Sequence, residues 1–163
     1  MLQKAKDEKQ RIDNIYIPDE ILFEEIIMRM DSPDFIKMCK TNKRFQSICN
    51  DKTFWKRMYE KHYGDSDIKN VLPDLTYFEL FKTCYYLNII QKTFSNGIAL
   101  KDLYHSKLIN INGGANSKFL IALSYMYHLE EINFYIKNLN NPIIIPKEVN
   151  ALPFLKKVFY HKV

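Results

Sequence analysis

Residues that could bind a metal or act as a nucleophile are present in this chain, but not at the spacings that such chemistry needs. A structural zinc site needs cysteines or histidines a few residues apart, and no Cys-x-x-Cys or His-x-x-x-His pair occurs. The histidines stand singly, at His62, His105, His128 and His161. Neither a Gly-x-Ser-x-Gly nucleophile motif nor a glycine-rich phosphate loop is found. We therefore expect no metal site, no cofactor and no catalytic residue.

Two acidic pairs and one glycine pair have ordinary structural interpretations. Glu24–Glu25 and Glu130–Glu131 are adjacent in sequence, so on a helix their side chains point to different faces. The glycine pair in NGGAN, residues 112–116, is typical of a tight turn. These patterns indicate a soluble surface and a turn, and they do not indicate acid–base catalysis or a ligand cradle.

The length and composition are those of a globular protein with a packed core. The chain has 163 residues, 47% apolar and 14% aromatic, which suffices for one medium domain or two small ones. No apolar run reaches the roughly 18 residues of a membrane span, and the start, MLQKAKDEKQRID, is charged rather than signal-like. Cys39, Cys49 and Cys84 show no framework of spacings. We expect three reduced thiols and a cytoplasmic or nuclear protein.

The net charge of +5 leaves nucleic acid open as a partner. The basic residues are spread along the chain, and the densest cluster, KTNKRF at 40–45, has no glycine–aromatic motif beside it. We interpret this cluster as a solvated basic surface. The alternative is a small basic helical protein whose nucleic-acid binding weakens steeply with salt.

The pattern near the N-terminus predicts a flexible tail and four short helices. The charged residues 1–14 lack apolar periodicity and form the tail. Pro18 and Asp19 suit the first turn of a helix that extends to about residue 30. Three more helices follow, with suitable caps at Ser32, at Thr41 or Asn42, and at Asp51. Gly64 ends the last of them.

The rest of the chain begins with a loop and one long helix. Residues 65–75 are polar and contain proline, so we expect a loop. Thr76 and Glu79 form a capping box at the start of a helix over 76–94. Because the loop is short, we expect this helix to pack directly on the preceding ones. Further elements are predicted as a helix near 117–129, a strand near 132–136, a short helix near 147–153 and a strand at 157–161.

One internal similarity links the last two predicted strands. LEEINF at 129–134 recurs as LKKVFY at 155–160, so the pattern L-x-x-I/V-x-F/Y returns after 26 residues. This period lies in the range of leucine-rich repeats. The alternative is a helix followed by a hairpin. In a short repeat the last strand would be an open edge, available for dimerisation or for a partner strand.

The first predicted helix is unusual because it carries two apolar stripes. At about 100° per residue, one broad stripe contains Leu22, Phe23, Ile26, Ile27 and Met30. Ile21 and Met28 point almost the opposite way. A small domain of short helices can bury one stripe, and an open second stripe indicates an interface with another protein.

Five short motifs between Ile17 and Trp55 occur in a fixed order. They are IPDEIL at 17–22, DSPD at 31–34, the apolar pair at 35–36, KRF at 43–45 and DKTFW at 51–55. The chain here resembles the F-box family, whose pattern opens with Leu-Pro-x-Glu-Leu/Ile-Leu and closes with Asp-x-x-Leu/Phe-Trp. The resemblance covers about a quarter of the chain.

The resemblance implies an F-box domain over 15–64 that docks on the Skp-family adaptor of a Skp–cullin–F-box-type ubiquitin ligase. The expected adaptor-binding residues are Ile17, Pro18, Ile21, Leu22, Ile26 and Met28. The expected F-box core consists of Phe23, Ile27, Phe35, Ile36, Phe45, Ile48, Phe54 and Trp55. The predicted fold class is mainly α: an F-box-like bundle of short helices, a helical region, and a small α/β part that is either leucine-rich-repeat-like or a hairpin.

The family pattern places target recognition C-terminal to the F-box. Residues 76–163 are therefore predicted to bind an unidentified target protein, and the chain would be a non-catalytic substrate receptor. An adaptor-binding decoy that blocks endogenous receptors needs only the F-box, so this alternative stays open. The asparagine- and isoleucine-rich composition resembles F-box proteins of large DNA viruses or AT-rich protists, which would place a viral protein in its host cell.

Overall fold

The computed structural model describes residues 16–29, 34–94, 97–140 and 143–163. Its backbone contacts divide the chain into two units, one up to Pro33 and one from Asp34 onward, and each is described by itself. The predicted tail and the predicted cap at Ser32 lie outside the described residues. Within the four described ranges, no helix combines the length and the hydropathy of a membrane span.

The first unit contains helix α1, Asp19–Ile26. Pro18 precedes it with an extended backbone, and its carbonyl accepts a hydrogen bond of 3.0 Å from the Leu22 N–H. Asp19 lies in the first turn, where a carboxylate interacts favourably with the helix dipole. The helix ends four residues before the predicted end near residue 30. The adjacent β-branched residues Ile26 and Ile27 weaken helix propensity at that point.

The second unit begins with three short helices: α2, Phe35–Thr41; α3, Lys43–Asn50; and α4, Lys52–Tyr63. A side-chain oxygen caps each of them. Asp34 caps α2, where sequence reasoning expected Ser32. Asn42 caps α3 through the Phe45 N–H at 2.9 Å, and Asp51 caps α4. The predictions at Asn42 and Asp51 are confirmed.

A short connection leads from α4 to the longest helix. It contains a 3-10 turn at Gly64–Ser66 and helix α5, Ile68–Val71, so the prediction of a loop over 65–75 is wrong in part. The reason is Ile68, whose side chain is fully buried and anchors the segment. Helix α6, Tyr77–Thr93, then starts at the predicted capping box, with reciprocal bonds of 3.2 and 3.0 Å between Thr76 and Glu79.

Aromatic rings join α6 to the short helices of the second unit. The Trp55 ring centroid lies 4.7 Å from that of Phe78 and 5.4 Å from that of Phe81. Phe35 contacts the same helix, with its centroid 6.4 Å from Phe81 and 5.3 Å from Tyr85. The expected direct packing of this helix on the preceding ones is therefore present, and it forms the core of the unit.

The C-terminal part is a parallel sheet with short helices between its strands. In chain order its elements are α7, Leu100–His105; β1, Leu108–Asn112; α8, Ser117–Leu123; β2, Glu131–Ile136; α9, Lys147–Asn150; and β3, Lys157–Lys162. The strand order is β1-β2-β3, and both pairings are parallel. The hairpin alternative is therefore wrong, since a hairpin pairs antiparallel strands. The fold is mainly helical, with a small sheet near the C-terminus, as predicted.

The sheet contains three strands in register, where the sequence predicted two. Ile109, Ile132 and Val158 occupy one register position, 23 and 26 residues apart. Strand β1 was not predicted, because Ser106 stands where the later copies have Leu129 and Leu155. The leucine-rich-repeat alternative stays a prediction.

Candidate interaction surfaces

Helix α1 and the residues before it expose apolar side chains. Ile17 is 42% exposed, Ile21 50% and Ile26 39%, whereas Phe23 and Ile27 are buried. Of the remaining predicted adaptor-binding residues, Pro18 is exposed and Leu22 and Met28 are half-buried. These three side chains of the first unit are exposed, and we call them the exposed isoleucines (Ile17, Ile21 and Ile26). The periodicity of the sequence showed two stripes, and the burial shows which residues face solvent.

The predicted core residues of the second unit are buried with two exceptions. Phe35, Ile48, Phe54 and Trp55 are each at most 2% exposed. Phe45 is half-buried. Ile36, predicted in the core, is 59% exposed, which is a correction. The inner face of α2 is set by Phe35 and Met38, three residues apart, and Ile36 lies about 100° round the helix from Phe35.

A disulfide links α2 and α3 within this region. Cys39 and Cys49 form the bond, and their Cα atoms are 5.7 Å apart. The expectation of three reduced thiols is therefore wrong for these two, although Cys84 is free and buried. Two cysteines ten residues apart have no distinctive spacing, and the α2–α3 turn brings them together. The Trp55 indole N–H donates to the Cys49 carbonyl at 3.1 Å, which ties α4 to the same place.

We expect reduction of this disulfide to lower the free energy of unfolding by about 2–3 kcal/mol, because opening a loop of this length restores chain entropy to the unfolded state. Denaturant unfolding with and without a thiol reductant measures the difference. A Cys39→Ser/Cys49→Ser double variant should have the stability of the reduced protein and no response to reductant. Alkylation of three thiols in the non-reduced protein would contradict the bond.

The strands of the sheet are joined by polar side chains as well as by backbone. The Glu130 carboxylate binds the ammonium groups of Lys156 at 3.0 Å and Lys107 at 3.2 Å. Their hydrogen bonds and positive charges lower the pKa of Glu130, and the hydrogen bond from Lys156 is the largest cause. On the sheet face, the Asn133 amide donates to the Asn110 side-chain oxygen at 3.2 Å, and His161 Nε2 lies 3.0 Å from Asn133 Oδ1. The Asn110–Asn133 contact therefore joins register partners, whereas His161 lies two residues beyond Phe159, the register partner of Asn133.

Aromatic and histidine rings form a further row of contacts just before the strands. The Tyr104 and Tyr127 rings stack at 6.0 Å, and the His128 and Phe154 rings stack at 5.7 Å. His105 and His128, read as isolated in the sequence, have ring centroids 5.0 Å apart. The repeated Tyr-His pair, 23 residues apart, is the signal that could have revealed the first repeat. The described residues contain no group of three side chains suited to a metal ion.

Exposed apolar side chains on a short helix are typical of a protein-interaction module. Residues 17–57 match the family model of the F-box domain, so this segment is identified as an F-box domain. The match covers about a quarter of the chain. F-box domains are interaction modules for the Skp-family adaptor of Skp–cullin–F-box ubiquitin ligases. Comparison with curated proteins and with solved structures gives no match.

Proposed function

We propose that this chain is a non-catalytic substrate receptor that links a target protein to a Skp–cullin–F-box-type ubiquitin ligase. In this proposal the F-box extends over 15–64 and binds the adaptor, and residues 76–163 bind the target. Residues 1–14 belong to neither function. The ubiquitin chemistry belongs to other subunits, and the site of action is the cytoplasm or the nucleus.

The observation that carries the proposal is the exposure of these isoleucines within the F-box match. Ile17, Ile21 and Ile26 are each at least 39% exposed on a short helical segment. Large apolar side chains in such a group lower their free energy when a partner covers them. Pro18 and the half-buried residues Leu22 and Met28 complete the proposed adaptor contact.

The test is binding of the purified chain to a recombinant Skp-family adaptor, measured by calorimetry or a quantitative pull-down. The Ile21→Asp variant should bind about thirty-fold more weakly, because loss of one buried apolar anchor costs about 2 kcal/mol. The Ile21→Asp/Leu22→Asp double variant should show no measurable binding. Unchanged affinity of the double variant would overturn the proposal.

The matched control is Ile144→Asp, which makes the same chemical change at an 83% exposed isoleucine of the C-terminal part. It should bind the adaptor like the unchanged protein. Far-UV circular dichroism of all variants should be unchanged, since Ile21 is half exposed and its replacement leaves the buried Phe23 and Ile27 in place. A loss of binding in both Ile144→Asp and Ile21→Asp would indicate nonspecific apolar attachment, which also contradicts the proposal.

A further inference from the structure

Strand β3 is an edge strand of the sheet, as β1 is, and one side of its backbone has no strand beside it in the described part of the chain. Its Lys157 N–H donates to the Glu130 carbonyl at 3.2 Å, and the Val163 N–H donates to the Ile136 carbonyl at 3.1 Å. Since backbone groups alternate in direction along a strand, those of Val158, Tyr160 and Lys162 point away from β2. These groups are available to a further strand.

The side chains at this edge are less covered than their counterparts in the earlier repeats. Ile109 and Ile132 are at most 4% exposed, whereas Val158, at the same register position, is half-buried. Tyr160 is 44% exposed, while its counterpart Phe134 is fully buried and stacks on it at 5.5 Å. The last repeat therefore exposes part of a face that the other repeats bury.

More exposed apolar residues surround this edge. They are Ile144, at 83% exposed, Phe159, at 41%, and Val163, at 72%. The Tyr160 hydroxyl donates to the Ile143 carbonyl at 3.4 Å, which places this loop beside the edge. A strand added to β3 would contact backbone and apolar side chains together, so both would lose exposure in one step.

The charge of the edge determines what kind of strand fits. The segment 156–163 contains three lysines and no acidic residue. Lys156 is paired with Glu130, but neither Lys157 nor Lys162 has an ion pair among the described residues. A second copy of β3 would bring more lysines to the same edge, and like charges oppose that pairing. Lys157 and Lys162 lie on opposite faces of the sheet, so a strand with acidic residues on one face would pair with Lys157.

We propose that the outer edge of β3 binds an extended acidic segment of a partner protein by strand addition, and that this segment belongs to the target. The identification with the target rests on the proposed function. The partner strand alternates acidic and apolar residues. Its acids lie on the face of Lys157 and His161, and its apolar side chains lie on the face of Val158 and Tyr160. Backbone hydrogen bonds to β3 provide affinity, and this alternation provides selectivity.

The experiment uses the full chain without the adaptor and a labelled, end-capped peptide of alternating glutamate and valine, about eight residues long to match a typical strand. Fluorescence anisotropy should show saturable binding. The Lys157→Glu variant should bind this peptide about tenfold more weakly, and it should prefer a peptide of alternating lysine and valine. Equal binding of the acidic peptide by both proteins would overturn the proposal.

A second comparison tests the backbone contribution. Tyr160→Pro removes an outward N–H, whereas Tyr160→Ala removes the side chain and keeps that N–H. The proline variant should bind about fivefold more weakly than the alanine variant, which corresponds to one hydrogen bond. A peptide N-methylated at alternate residues, in the phase that faces the edge, should not bind. Equal binding of that peptide would show that charge alone attracts it and would overturn strand addition.

The occupant and the proposed function are tested separately. A dimer in light scattering that dissociates in Tyr160→Pro would assign the edge to a second copy and overturn the acidic partner. Adaptor binding is measured with Ile21→Asp, and peptide binding is measured with Lys157→Glu. If the adaptor does not bind but the peptide does, the edge is a binding site without a role in a ubiquitin ligase. If the adaptor binds and the peptide does not, only the strand-addition proposal fails.

Discussion

Replacing Phe81 with alanine should lower the free energy of unfolding by about 3–5 kcal/mol. The total free energy of unfolding of a typical domain is about 5–15 kcal/mol, so this loss is a large part of it. The Phe81 side chain is fully buried in α6. Its ring lies 5.4 Å from Trp55 and 5.3 Å from Tyr63 in α4, and 6.4 Å from Phe35 in α2. The change therefore removes a ring that contacts two short helices at once, and those helices cannot collapse fully into the space.

Trp55 is the only tryptophan in the chain, so its fluorescence reports on the F-box helices of the second unit. Denaturant unfolding followed by fluorescence and by far-UV circular dichroism should shift together in Phe81→Ala, because α4 and α6 share one core. Phe159→Ala is the matched control: this ring is 41% exposed, and its loss should cost less than about 1 kcal/mol. A fluorescence transition that is unchanged in Phe81→Ala would show that α4 is stable without α6.

The helix positions that the sequence predicted well are those with a local cause. The capping box of Thr76 and Glu79 and the caps Asn42 and Asp51 act within three residues of their helix. Such hydrogen bonds depend on neighbours in the chain, so residue types at fixed offsets are enough to predict them. The end of α1 at Ile26 has no such signal, and its prediction was four residues too long.

Burial in the candidate F-box was predictable in outline and wrong in detail. The pattern predicted buried aromatic residues such as Phe35 and Trp55, and both are buried. It could not predict that Ile36 faces solvent, because a pair of adjacent apolar residues fits either face of a helix. The same ambiguity applied to the two stripes of α1. The burial places Ile21 on the exposed side and Phe23 on the inner side.

The direction of the strands in the sheet could not be predicted from local sequence patterns. Strand direction depends on the connection between strands, and a parallel pair needs a crossover, which the short helices α8 and α9 supply. Strand β1 was not predicted because Ser106 occupies the position at which the repeated pattern has a leucine. The disulfide depends on the turn between α2 and α3, so the spacing of Cys39 and Cys49 did not reveal it.

Raising the pH should unfold the second unit within a narrow pH range, because its core contains a thiol and several phenols that lose a proton at alkaline pH. Cys84 is fully buried and Tyr85 is 4% exposed, and burial raises the pKa of each to about 12. Burial also raises the pKa of Tyr63 and Tyr86. In the unfolded chain the pKa of a thiol is about 8.5 and that of a phenol is about 10. The unfolded state therefore loses protons first, and stability falls as pH rises through this interval.

The size of the effect follows from linkage. Each such group lowers the free energy of unfolding by up to about 1.4 kcal/mol per pH unit above its unfolded pKa, so these four together can remove roughly 5 kcal/mol between about pH 10 and 11. The contribution is fully present below the unfolded pKa values and is lost progressively up to about pH 12. Circular dichroism and phenolate absorbance should therefore change together and cooperatively. A gradual phenolate titration near its ordinary pKa, with circular dichroism unchanged, would contradict this account.

Tyr85→Phe provides the sharpest variant for this experiment. The Tyr85 hydroxyl is buried and has no hydrogen-bond partner within the described residues, so its removal eliminates a titrating group without breaking a bond. The pH midpoint of unfolding should rise, and stability at neutral pH should be equal or higher. Tyr16→Phe is the matched control, because that ring is 76% exposed and should leave the midpoint unchanged. An equal shift in both variants would mean that the alkaline transition does not depend on buried phenols.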